Sequence, residues 1–137
     1  MSCKVFAGPG EDPAELGLAV QTEDRFRERA LGDWPAGSFE AAVERSWEDM
    51  TASFPGDECN EAAQARAVEA LDEVAAAGSS GHCLIGTYGN LLALILNAYD
   101  PTIDFQYWSG LTMPDVYQFE IFGHTEVKYN RLWMPDK

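Results

Sequence analysis

Between His82 and Pro101 an apolar run, a glycine-flanked turn and a long apolar helix signal follow one another without a gap. Cys83-Leu84-Ile85 has the character of a strand buried on both faces. Gly86 and Gly89 suit a tight turn whose backbone is approached from outside, and Asn90 is positioned to cap the helix that follows. Leu91, Leu92, Leu94, Ile95 and Leu96 cover almost the whole girth of that helix, so it is expected to be buried on nearly every side. A strand-to-helix turn also gathers free N–H groups and the positive end of the helix at one point, which suits an anion or a developing negative charge. Tyr88 stands at that point.

The rest of the chain limits what this turn belongs to. Its 137 residues are enough for one core, and residues 1–137 are expected to form a single domain. An apolar content of 46% excludes a wholly disordered chain. Nine basic against 23 acidic residues leave a net charge of −14, which repels nucleic acid and anionic membrane surfaces, so neither is an expected partner. Cys3, Cys59 and Cys83 are odd in number, widely spaced and without a CxxC pair. That pattern fits a reduced compartment, argues against zinc and leaves no metal or cofactor expected. With no charged-then-apolar leader, and an apolar run too short to span a bilayer, the expected location is the cytoplasm.

Taken in order, Cys3 to Ala7 reads as a short strand closed by Gly8-Pro9-Gly10, followed by a brief helical turn over Asp12–Gly17 and a second strand over Leu18–Thr22. Arg25 to Trp34 is dense in charge and reads as an exposed loop with Trp34 packed on the core. Ser38 to Met50 is an amphipathic helix with Ser38 as cap and Phe39, Val43 and Trp47 at fourfold spacing. From Glu58 to Ala77 small and apolar residues recur at helical spacing, and Glu61, Arg66, Glu69, Asp72 and Glu73 read as solvated positions. Asp100-Pro101 stops the central helix. Thr102 to Pro114 reads as a packed loop or short helix, and Val116–Phe122 with Val127–Trp133 as a hairpin. The alternation implies an α/β fold.

Several of these segments together resemble a known family. The series Phe26-Arg27-Glu28-Arg29-Ala30-Leu31-Gly32-Asp33-Trp34, Phe54-Pro55-Gly56-Asp57-Glu58 opening a helix with Arg66 and Ala70-Leu71, Ile85-Gly86-Thr87-Tyr88-Gly89-Asn90, and Leu111-Thr112-Met113-Pro114-Asp115 is similar to the later part of the histidine phosphatase superfamily, the phosphoglycerate-mutase-like proteins. The resemblance implies a three-layer αβα sandwich with a mostly parallel central sheet and a C-terminal hairpin. It also implies a phosphohistidine chemistry that uses an Arg-His-Gly turn after the first strand, arginines, a proton-donating glutamate and a second histidine before the late helix. Such a reaction needs both imidazoles and a cationic pocket, because the transferred group carries spread negative charge.

The sequence departs from that pattern where the chemistry lies. It contains no Arg-His-Gly, and the family's first strand is expected to be missing. Tyr88 takes the place of the second histidine, while His82 and His124 fall at a strand start and in a hairpin turn. Glu28 matches the proton donor. The expected function is therefore binding of a small molecule or partner without phosphatase activity, in a remnant pocket at Glu28 and Tyr88. The alternative is a repurposed enzyme with Glu28 as acid or base and Tyr88 as hydrogen-bond donor; an active phosphatase ranks last. Arg27, Trp34, Thr87, Gly89, Asn90 and Trp108 are the expected ligand-binding residues. A missing inner strand would leave an unpaired edge, which implies a homodimer that covers it; the alternative is that the Val5 strand moves inward to fill the gap and completes the monomer.

Overall fold

The computed structural model describes residues 2–7, 23–30, 37–53, 56–77, 82–112, 115–122 and 126–132. The expected strand at Leu18–Thr22 and Trp34 lie outside the described residues. The elements are β1 (Ser2–Ala7), a short 3-10 helix (Asp24–Phe26), α1 (Phe39–Glu48), α2 (Asn60–Ala77), β2 (His82–Thr87), α3 (Gly89–Tyr99), α4 (Phe105–Ser109), β3 (Asp115–Phe122) and β4 (Glu126–Arg131).

Local chemistry accounts for most element ends. Gly37 adopts φ +95°, a conformation other residues rarely take, and turns the chain into α1. The Ser38 hydroxyl then accepts the N–H of Ala41 at 3.1 Å, satisfying one of the free donors of the first turn. After α3, the Asp100 carboxylate accepts the N–H and hydroxyl of Thr102, closing a turn around Pro101. Its other oxygen accepts the Tyr129 hydroxyl at 2.6 Å and so ties the end of α3 to β4. Asp104 caps α4 by accepting the N–H of Tyr107 at 3.0 Å.

The four strands form one sheet in the order β2-β1-β3-β4. β1 and β2 are parallel in the register Val5↔Ile85, whereas β1 and β3, and β3 and β4, are antiparallel. Three strands thus share a direction, but only one of the three pairings is parallel, which corrects the expectation of a mostly parallel sheet among the described strands. The reason is the C-terminal hairpin: its short connection forces β3 to run against β4, and β3 is the strand that enters beside β1. The place beside the Cys83 strand is filled by Ser2–Ala7. The strand that contains Val5 thus fills the expected gap, and on that side β2 has no unpaired inner edge for a second copy to cover.

The core forms where α3 meets α2 and the sheet. Leu91, Leu92, Ala93, Leu94, Ile95 and Leu96 are all fully buried, as the unbroken apolar run requires. Ala63, Ala67 and Ala70 give α2 a face of small residues, which lets it pack closely against α3. Tyr117 and Phe119 of β3 complete the cluster. A smaller cluster forms around Ala42 and Val43, against which Trp47, Phe105 and Trp108 pack. Phe39 departs from the expected amphipathic face, since it is 53% exposed. No helix among the described residues is long and apolar enough to cross a membrane.

Candidate functional site

The turn between β2 and α3 brings Glu28 onto the start of α3. Glu28 Oε1 accepts the N–H of Leu91 at 2.9 Å and Oε2 the N–H of Asn90 at 3.2 Å. Oε1 also accepts the N–H of Arg29 at 2.9 Å. One carboxylate therefore satisfies two of the donors that the first turn of a helix leaves free, and it meets the positive end of the helix dipole. The seat for an anion that the sequence predicts is present, and the protein's own glutamate occupies it. Burial pushes the Glu28 carboxyl up from its ordinary value, against the three N–H donors and the Arg66 charge, which pull it down.

Three side chains hold the segment that carries Glu28. Arg66 of α2 donates to the carbonyls of Arg25 at 2.7 Å, Arg27 at 2.9 Å and Glu28 at 3.3 Å. Its guanidinium is fixed in turn by Glu58, whose two carboxylate oxygens it contacts. From the opposite side the buried Thr87 hydroxyl donates to the Phe26 carbonyl at 2.8 Å. The Arg29 side chain, wholly buried, lies 3.0 Å from Asp57, out of line for a hydrogen bond but close enough for an ion pair. The segment is thus locked through its carbonyl groups, which corrects its reading as an exposed loop. Phe26 and Arg29 are buried within it.

The expected site residues separate into groups. Glu28, Thr87 and Asn90 come together, but Asn90 does not cap α3; Tyr88 stands at the cap position without a side-chain bond, and Glu28 supplies the cap from far away in sequence. Asn90 instead accepts the indole N–H of Trp47 at 3.1 Å. Gly89 has no positive φ, and a Cβ there would meet nothing within 4 Å, so the turn does not require glycine at 89. Arg27 is exposed and paired with Asp24. Tyr88 is 52% exposed, with its phenol on the rim of the turn. Trp108 belongs to the aromatic group on α1 and α4, stacked on Phe105 with ring centroids 5.4 Å apart.

Sequence reasoning missed two residues that shape the site. Trp47 packs against both core clusters and binds Asn90, so it links the aromatic group to the start of α3. Arg66 falls among the positions read as solvated, yet its side chain is only 12% exposed. Its place within the family-like series was the signal available. Among the described residues no group of three His, Cys, Asp or Glu side chains is arranged to hold a metal ion.

A family model, the histidine phosphatase superfamily (branch 1), matches residues 13–129. The chain belongs to the histidine phosphatase superfamily. Solved structures with a similar fold include a mycobacterial glucosyl-3-phosphoglycerate phosphatase in its native form (20% identity, TM-score 0.63, covering 86% of this chain and 66% of that one). The same phosphatase in complex with VO3 matches with 22% identity, TM-score 0.60, and 86% and 64% of the two chains. A protein titled mycobacterial hydrolase 1 matches with 20% identity, TM-score 0.59, and 84% and 64%. This superfamily member spans about two thirds of the length of these chains. A comparison with curated protein sequences gives no match.

In this histidine phosphatase superfamily member, replacing Glu28 by Ala strips the acceptor from two amides of α3 and is expected to cost about 2 kcal/mol of stability. The Gln variant keeps the shape and one acceptor and should cost about half as much. The pH dependence follows from the raised carboxyl. The folded state holds the Glu28 proton more tightly than the unfolded chain, so this contribution is fully present below the unfolded value and is lost as pH rises through the folded one. The Gln variant does not titrate, and its stability deficit relative to the parent should narrow from about pH 4 upward. Urea unfolding of both proteins at several pH values measures the gap; a widening gap would mean that the N–H donors outweigh burial.

Proposed function

We propose that this protein binds a small molecule or partner at the Tyr88 turn without transferring phosphate. The observation that carries this reading is the shared end of the two parallel strands, β1 and β2. β1 and β2 run parallel and in register to Ala7↔Thr87, and the sequence continues with Gly8-Pro9-Gly10 after one and Tyr88 after the other. Neither continuation contains an imidazole, so nothing there can accept a phosphoryl group as the family reaction requires.

Two further features support the reading. The N–H groups at the start of α3 are already bonded to the Glu28 carboxylate, so a phosphate would have to displace a charged, half-buried side chain. The neighbouring arginines are also committed: Arg25 to Glu23 and Glu73, Arg27 to Asp24, Arg29 to Asp57 and Arg66 to Glu58. With a net charge of −14 around it, this end of the sheet favours a neutral or cationic ligand over a phosphate ester. The Tyr88 phenol on the rim supplies the exposed hydrogen-bonding group. A second reading, Glu28 as acid or base in a different reaction, has one observation in its favour: burial raises its carboxyl, as a proton donor at neutral pH needs.

The mycobacterial relative was solved with VO3, and orthovanadate, a phosphate mimic, is the natural probe here. Titration followed by tryptophan fluorescence, to which Trp47 contributes, should show no saturable binding. Hydrolysis of p-nitrophenyl phosphate by purified protein should not exceed the buffer rate. Robust hydrolysis that a His82 or His124 substitution abolishes would overturn the proposal.

A further inference from the structure

At the first residue of α1, Phe39 is 53% exposed. Its ring does not stand by itself: it meets Trp108 of α4 with centroids 6.3 Å apart, and Trp108 stacks on Phe105 at 5.4 Å. Trp108 and Phe105 are themselves only half-buried. Three aromatic rings therefore form one contiguous, partly exposed patch where α1 packs on α4. Single exposed apolar residues are ordinary on a protein surface, whereas a contiguous aromatic patch marks a place where another molecule docks.

Charge narrows what fits the patch. Glu40, Glu44 and Glu48 recur at fourfold spacing on α1 and are all exposed. They form a row next to the one that begins with Phe39, about 12 Å long at a rise of about 1.5 Å per residue. No ion pair among the described residues engages any of the three, and Arg45 is the one basic residue of the helix. With a net charge of −14 on the chain, this face repels nucleic acid and anionic lipid. It also repels a second copy, because a two-fold contact through the patch would set one row of glutamates against another. A compact cation would meet one carboxylate at a time, whereas basic side chains one turn apart on a helix match the whole row.

We propose that the Phe39–Trp108 face of α1 and α4 docks a basic amphipathic helix of another protein. The apolar side chains of that helix cover the three rings, and its lysines and arginines pair with Glu40, Glu44 and Glu48. The rings supply most of the affinity once water is excluded from them, while the glutamates speed the encounter and fix the orientation. Because those charges are exposed, salt weakens the contact. Docking here is independent of what occupies the Tyr88 turn.

The test uses the full chain and a fluorescein-labelled leucine–lysine peptide patterned as an amphipathic helix, followed by fluorescence anisotropy at low salt. Saturable micromolar binding is expected, with none for the same peptide carrying glutamate in place of lysine. Phe39→Ser should weaken binding about tenfold or more. Glu44→Lys should weaken it about fivefold, whereas Glu120→Lys, an equal charge change at an exposed position of β3, should change it by less than about twofold. Circular dichroism checks that each variant is folded, and the two charge variants decide the question even if Phe39→Ser is not. Absence of saturable binding, a folded Phe39→Ser protein that binds as the parent does, or equal weakening by Glu44→Lys and Glu120→Lys would overturn the proposal. So would full competition by tetramethylammonium at the peptide's own concentration, which would make the occupant a small cation. A sedimentation mass that rises with concentration in the parent and not in Phe39→Ser would make it a second copy, with the same result.

Discussion

Arg66→Met should lower the unfolding free energy by about 3 kcal/mol and loosen the Glu28 cap at the same time. The substitution keeps the length and most of the apolar stem, so the loss falls on the guanidinium. Its removal leaves the carbonyls of Arg25, Arg27 and Glu28 without their donor. It also leaves the partly buried Glu58 charge with the Arg27 guanidinium at 3.9 Å and the Ala30 N–H at 3.5 Å in place of the close Arg66 fork. Arg66→Lys retains the charge but not the planar fork that reaches several carbonyls at once, and should fall between the two, at about 1–2 kcal/mol. Urea unfolding gives the stability. Amide hydrogen exchange at Asn90 and Leu91, whose N–H groups the Glu28 carboxylate accepts, shows whether the cap loosens. An Arg66→Met protein with unchanged exchange at those two amides would mean that the Glu28 segment holds its place without the clamp.

Leu92→Ala should cost about 3–4 kcal/mol, a loss of similar size with a different cause. Leu92 has no exposed surface, and its neighbours Leu91, Ala93 and Leu94 are equally enclosed, so the helix cannot rotate to fill the space. The cost combines the lost transfer energy of the side chain with a cavity that a close-packed interior closes only in part. Leu92→Met nearly conserves volume and should cost less than about 1.5 kcal/mol. Neither variant removes a partner of Glu28, so the pH response of stability should keep its parent shape in both. If Leu92→Ala costs less than about 1 kcal/mol, α3 is not packed on all sides.

These two residues lie at opposite ends of what sequence reading reaches. The burial of Leu92 follows from its own segment: a helix apolar around its girth has no face to give to water, whatever surrounds it. The role of Arg66 does not follow from its segment. On α2 it occupies a position that helical spacing assigns to solvent, and only the arrival of residues 25–28 above it makes it a donor to three carbonyls. The family-like series pointed to Arg66 without saying what it holds.

What the sequence determined by itself is the set of features that depend on near neighbours. The elements from α1 to β4, the Ser38 cap of α1 and the stop at Asp100, the apolar identity of α3, the absence of an Arg-His-Gly turn and the placing of Tyr88 after β2 all rest on residues a few positions apart. Membership of the histidine phosphatase superfamily was legible in the same way, through an ordered series of short motifs. Tertiary structure decided the rest. The strand beside β2, the antiparallel entry of β3, the capping of α3 by Glu28 rather than Asn90 and the bond from Trp47 to Asn90 each join residues from different segments. The physical reason is the range of the interactions. Turn chemistry and helical periodicity act within about one or two turns of chain, whereas a buried carboxylate takes whichever free N–H groups the packing of the core brings to it.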